Sequence, residues 1–189
     1  GSEFKGYSPV YIGEWKNGLR DGAGKELNEN EEVVRSGKWI GGKFDGNIKR
    51  FEDGYRNDLS VFDVDCLKGI ERVEIGNDCF EKVNRFVIDG LNELKTIIIG
   101  KNSFELDTNT GEGSKCLIMN CDQLSEIHFG YESFRLYESF ELKNLPSLIS
   151  IQLDDESFYS QTIVFENLIR LQSITLESSV LGDEDTVDS

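Results

Sequence analysis

Apolar residues return along most of this chain in a frame of about two dozen positions, and within each return they alternate with polar ones. Taking Leu148-x-x-Ile151-x-Leu153-x-x-x-x-Phe158 as reference, the same slots hold Ile70, Val73, Ile75 and Phe80; Leu94, Ile97, Ile99 and Phe104; and Leu124, Ile127, Phe129 and Phe134. A last copy runs Leu171, Ile174, Leu176 and Leu181. The first anchors, at 70, 94, 124, 148 and 171, lie 24, 30, 24 and 23 positions apart. Upstream of each anchor a second set repeats: Phe62, Val64, Leu67; Phe86, Ile88, Leu91; Cys116, Ile118, Cys121; Phe140, Leu142, Leu145; Ile163, Phe165, Leu168. A period of two predicts strands, so each repeat is expected to supply two extended segments rather than a strand and a full helix. Five such units, each too thin to bury its own apolar face, would stack around a continuous phenylalanine column. The one long spacing contains the polar stretch from Asp107 to Ser114, which is expected to bulge out as a loop.

A different period occupies the N-terminal quarter. Tyr11-Ile-Gly13-Glu-Trp15-Lys-Asn-Gly18-Leu-Arg-Asp21-Gly22 realigns 24 positions later on Arg35-Ser-Gly37-Lys-Trp39-Ile-Gly-Gly42-Lys-Phe-Asp45-Gly46. Alternating residues, then a turn signal such as Asn17-Gly18, then a second short run predict a β-hairpin per copy. Trp15 and Trp39 then fall on one face and are expected to stack along the sheet. This pattern resembles the MORN repeat, Tyr-x-Gly-x-Trp-x-x-Gly-x-x-His-Gly-x-Gly, over residues 7–54. Asp21 stands where that family has His; in the second copy Arg35 replaces the leading Tyr and Asn47 the last Gly. The resemblance implies scaffolding or dimerisation.

The longer frame resembles the leucine-rich repeat, L-x-x-L-x-L-x-x-N-x-L, with Phe in the last slot. Its Asn slot holds Asn102 in one copy and Asp78, Glu132, Glu156 and Ser179 in the others. The Phe closure and the extended return are more similar to irregular, BspA-like leucine-rich repeats than to the helix-backed kind. The expected fold is therefore mainly β: a MORN-type hairpin sheet followed by a leucine-rich-repeat solenoid with little helix. Its expected parts are a leader at 1–6, hairpin repeats at 7–54, a connection at 55–61, five solenoid units at 62–181 and an acidic tail at 182–189. Gly1-Ser2-Glu3-Phe4 reads as a vector-derived leader.

Composition narrows the partners. Across 189 residues, 20 Lys and Arg face 36 Asp and Glu, a formal charge of −16. That balance repels phosphate backbones and anionic lipid, which argues against nucleic acid and membrane surfaces. Twelve Phe, six Tyr and two Trp supply a core despite a hydrophobic fraction of 38%, so the chain is not expected to be disordered. Four scattered cysteines and no Asn-x-Ser/Thr acceptor point to a reducing, cytoplasmic compartment.

Candidate chemistry is sparse. His128, the only histidine, lies between Ile127 and Phe129 with no nucleophile or acid partner marked by spacing. Cys116 and Cys121 fill slots that other units give to Phe140 and Leu145, so they read as small buried hydrophobes rather than zinc ligands. Asp107-x-Asn109-x-Gly111 lacks the later ligands of a calcium loop, and Gly22-Ala-Gly24-Lys25 lacks the first Gly and the hydroxyl of a phosphate loop. No catalytic residue, metal or cofactor is expected.

What remains is the ladder of polar and variable residues between the apolar anchors: Arg72 and Glu74; Thr96, Ile98 and Lys101; Glu126, His128 and Tyr131; Gln152 and Asp154; Ser173 and Thr175. In the leucine-rich geometry these project from a concave sheet and suit a protein partner. The leading expectation is a non-enzymatic interaction or scaffold module that binds a protein there, with self-association through the MORN-like sheet as a further possibility. The alternatives are a surface or secreted BspA-like adhesin or effector, and the recruiting arm of a larger enzyme.

Overall fold

The computed structural model describes residues 1–6, 8–55, 60–106, 112–158 and 162–177. The chain is mainly β, and it divides after Ile48 into two compact units. Among the described residues there is no α-helix, only a 3-10 turn at Val64–Leu67. Residues 107–111 of the expected insertion loop, the slot at Leu181 and the acidic tail lie outside the described residues.

Unit one is an antiparallel meander of Ser2–Lys5 (β1), Ser8–Lys16 (β2), Leu19–Leu27 (β3), Val33–Ile40 (β4) and Lys43–Gly46 (β5), paired in chain order. The leader residues thus form the first edge strand. Asn17 and Gly18 have φ of 52° and 75°, and Gly41 and Gly42 have 54° and 86°. Both hairpin turns therefore have two left-handed central residues, the geometry whose twist matches that of the flanking strands. Trp15 and Trp39 do not stack on one another. Each meets Tyr11 edge-on, with centroids 5.4 and 5.1 Å away. Tyr11 is fully buried, and a Cβ on Gly24 would come within 2.1 Å of its hydroxyl, so the phenol crosses the sheet where only glycine leaves room.

Unit two is a parallel β-solenoid of about five coils. Ile48–Phe51 (β6), Arg72–Ile75 (β7), Thr96–Ile99 (β9), Glu126–Phe129 (β11), Ser150–Leu153 (β13) and Ser173–Leu176 (β15) line up as a six-stranded sheet. Arg85–Asp89 (β8), Lys115–Met119 (β10), Ser139–Lys143 (β12) and Thr162–Glu166 (β14) form a four-stranded sheet. The register is that of the sequence frame: Val73, Ile97, Ile127, Ile151 and Ile174 are successive partners, and so are Phe86, Cys116, Phe140 and Ile163. β6 extends the larger sheet upstream, within the span read as hairpin repeats.

Among the described residues, four coils turn inward at a phenylalanine. Phe80, Phe104, Phe134 and Phe158 are almost wholly buried and lie parallel, with centroid separations of 5.1, 4.7 and 4.8 Å. All four have φ between 56° and 60°, a left-handed conformation rare for an aromatic residue. The positions two before them, Asp78, Asn102, Glu132 and Glu156, are left-handed as well. The strain is held because every ring buries apolar area worth about 2 kcal/mol and rests on its neighbour's face.

The expectation of two extended segments in every unit fails in the first. There the Asp63 carboxylate accepts from the Asp65 amide at 3.0 Å and caps the 3-10 turn, a local bond that competes with strand pairing. Phe62 and Leu67 are still buried, and a single parallel bridge joins Val61 to Arg85. At the other end Ile163, Phe165, Ile174 and Leu176 are 38% to 44% exposed.

Candidate functional site

Residues that alternate with the buried anchors emerge on the outer side of the six-stranded sheet. Parallel register sorts them into rows. Arg72, Thr96, Glu126, Ser150 and Ser173 are successive partners in one; Glu74, Ile98, His128, Gln152 and Thr175 in the other. Lys101 and Tyr131 follow in the turns beyond β9 and β11, in adjacent coils, and both are exposed. All nine residues proposed from sequence thus belong to one run of neighbouring coils.

The rows are tied by polar contacts. Glu74 accepts from Arg50 and, at 2.6 Å, from Nε of Arg72. Partial burial raises the Glu74 carboxyl, but the hydrogen bonds and charges of Arg50 and Arg72 outweigh it and hold the group below the usual range. Farther along, Nε2 of His128 lies 3.2 Å from both carboxylate oxygens of Asp154, and the Gln152 amide donates to Oδ1 at 2.9 Å. Hydrogen bonding to Glu132, and then burial, raise the Tyr131 hydroxyl above its ordinary value. Ile98 sits half-exposed between the Arg–Glu cluster and the His–Asp cluster. The face therefore offers pre-oriented charges and hydrogen-bonding groups around an apolar centre.

Cys116 and Cys121 occupy inward slots and are fully buried. Burial lifts the Cys116 thiol well above its ordinary value and the Cys121 thiol to about 11, so neither is a ready thiolate.

Two features lie beyond the sequence-based set. On the outer side of the four-stranded sheet, Glu141 is 8% exposed in a row with Val87, Leu117 and Val164, and receives Lys115 at 2.5 Å and Lys143 at 2.6 Å. A glutamate flanked two residues on by a lysine was visible in the chain, but the partner lysine comes from another coil. The second is an amide ladder in the turns after β10, β12 and β14. Asn144 donates to Asn120 at 3.0 Å and Asn167 to Asn144 at 2.7 Å, each residue left-handed. Asn120 in turn donates to Asp89 at 2.8 Å. Asparagines at 120, 144 and 167 repeat with the solenoid spacing, which was the signal available.

Comparison of the chain with family models, curated proteins and solved structures finds no match. Among the described residues no helix is long and apolar enough to cross a membrane.

Proposed function

We propose that this chain is a non-enzymatic protein-binding module whose partner docks on the outer side of the six-stranded sheet. In this reading the N-terminal meander is MORN-like and the solenoid is an irregular, BspA-like leucine-rich repeat, as their residue frames suggest. The observation that carries it is the in-register row Glu74–Ile98–His128–Gln152, held between ion-paired and hydrogen-bonded neighbours on a rigid sheet. Side chains already fixed lose little entropy on docking, so such a row favours recognition. Glu74, Glu126, Glu132, Asp154, Asp155 and Glu156 outnumber the nearby cations Arg50, Arg72, Lys101 and Arg135, so the complementary partner surface is basic and its association is weakened by salt. The unpaired thiols Cys66, Cys79, Cys116 and Cys121 fit a reducing, cytoplasmic setting.

The test is affinity capture followed by titration of the identified partner. Glu126→Lys, which sets a cation against a basic partner, and Tyr131→Ala should each weaken binding about tenfold or more. Glu166→Lys, on the other sheet, should leave it unchanged. Equal affinity of all three variants and the parent chain would remove the outer face from the binding surface.

A further inference from the structure

The outer edge of β2 carries a second recognition geometry, independent of the solenoid face. Residues 1–5 lie along it as an added strand, with Ser2 opposite Ile12 and Glu3 opposite Tyr11. Gly1 and Gly13 exchange backbone bonds, the Gly1 nitrogen donating at 2.5 Å and the Gly13 amide at 2.9 Å. Main-chain pairing of this kind provides affinity in strand addition, and side-chain pockets provide selectivity.

Two features of the face select what may lie there. A Cβ at Gly1 would fall 2.6 Å from Cδ1 and 2.7 Å from Nε1 of Trp15, so the indole covers this position and admits no side chain. Two residues on, Glu3 accepts from Nε of Arg20 at 2.9 Å and lies 2.9 Å from its Nη2. Arg20 is held by groups outside the added strand: its guanidinium carbon is 4.6 Å from the Tyr11 ring centre and 4.7 Å from that of Trp39, and Nη1 donates to Glu26 at 3.0 Å. With one side of the fork engaged by Glu26 and the guanidinium packed against both rings, its remaining side is aimed at a carboxylate on whatever strand pairs with β2.

We propose that the outer edge of β2 is a strand-addition site that reads Gly-x-Glu in an extended peptide, the pattern that the leader residues 1–5 display where they lie on it. Every contact named above is made by Gly1, Glu3 and backbone, and none by the connection to β2. A separate segment of the same pattern can therefore make the same contacts once the cis strand is released.

The experiment uses the full chain carrying Gly1→Val and Glu3→Lys, which place a side chain against Trp15 and a cation against Arg20. The probe is a dye-labelled acetyl-Gly-Ser-Glu-Phe-Lys-amide peptide, titrated by fluorescence anisotropy. Saturable binding is expected. It should weaken about tenfold or more when the peptide Glu becomes Gln, when the peptide Gly becomes Val, or when the parent chain with its cis strand is used. Because the discriminating changes are in the peptide, they leave the protein's folding untouched. A chain with Glu3→Gln alone serves for the same titration should the double variant not fold. Absence of saturable binding up to about 1 mM, or altered peptides binding within about twofold of the parent peptide, overturns the proposal.

Discussion

Removing one ring from the phenylalanine column tests both its energetics and its unusual backbone. Phe134 is fully buried, stacked on Phe104 at 4.7 Å and Phe158 at 4.8 Å, and touched edge-on or at a tilt by Phe86, Phe129 and Tyr137. Rings on both faces cannot close the gap without unstacking from their own neighbours, so Phe134→Ala should fall near the upper part of the usual range, about 4 kcal/mol. The backbone adds a second handle, because φ at Phe134 is 56°. Alanine retains the left-handed strain of ~1–2 kcal/mol that glycine escapes. Glycine gives back ~0.4–1 kcal/mol through the greater freedom of its unfolded chain. Phe134→Gly should therefore be as stable as Phe134→Ala or better by about 1 kcal/mol, the reverse of the order in an ordinary strand. Urea unfolding followed by far-ultraviolet circular dichroism is the assay, because Trp15 and Trp39 both lie in the first unit and their fluorescence does not follow the solenoid. A loss below about 1 kcal/mol for the alanine variant would refute the stacked column, and a glycine variant clearly less stable than alanine would refute the left-handed closure.

Glu141 should contribute an acid-sensitive increment of stability. Hydrogen bonds from Lys115 and Lys143 hold its carboxyl below the ordinary value of 4.5, against the opposing effect of burial. A depressed folded-state value means that this stabilisation is complete above the ordinary value and is lost as pH falls through the depressed one. Urea midpoints measured from about pH 6 down to about pH 3 should thus drop more steeply for the parent chain than for Glu141→Gln, and parallel curves would count against the clamp. Two buried serines at equivalent slots should behave differently. Ser103 donates to the Gly76 carbonyl at 2.8 Å and accepts from the Cys79 amide at 3.1 Å, so Ser103→Ala should cost about 1–2 kcal/mol. The Ser133 hydroxyl has no partner among the described residues, so Ser133→Ala should be neutral within about 0.5 kcal/mol or stabilising in the same denaturation assay.

Much of the architecture could be read in one dimension because a repeat converts sequence spacing into spatial position. Val73, Ile97, Ile127 and Ile151 stack in the solenoid for the same reason they align in the chain: each coil adds one strand in parallel register. The hairpin turns were legible in Asn17-Gly18 and Gly41-Gly42, where positive φ selects the residue type. The outer rows that include Arg72, Ile98 and His128 followed from alternation alone.

Other features depend on competition between local and distant contacts. The segment at Val64–Leu67 carries the same apolar spacing as its strand counterparts, yet the Asp63 cap turns it into a 3-10 turn. No residue preference announces a left-handed Phe134; it exists because the stacked rings above and below repay the strain. Lys115 reaches Glu141 from the preceding coil, a pairing that no spacing marks, and residues 1–5, read as a leader, pair with β2 as an edge strand. Spacing along the chain determined which residues share a row. Only folding decided which charges, rings and edges meet across it, because those contacts join residues whose separation in sequence carries no signal of their distance in space.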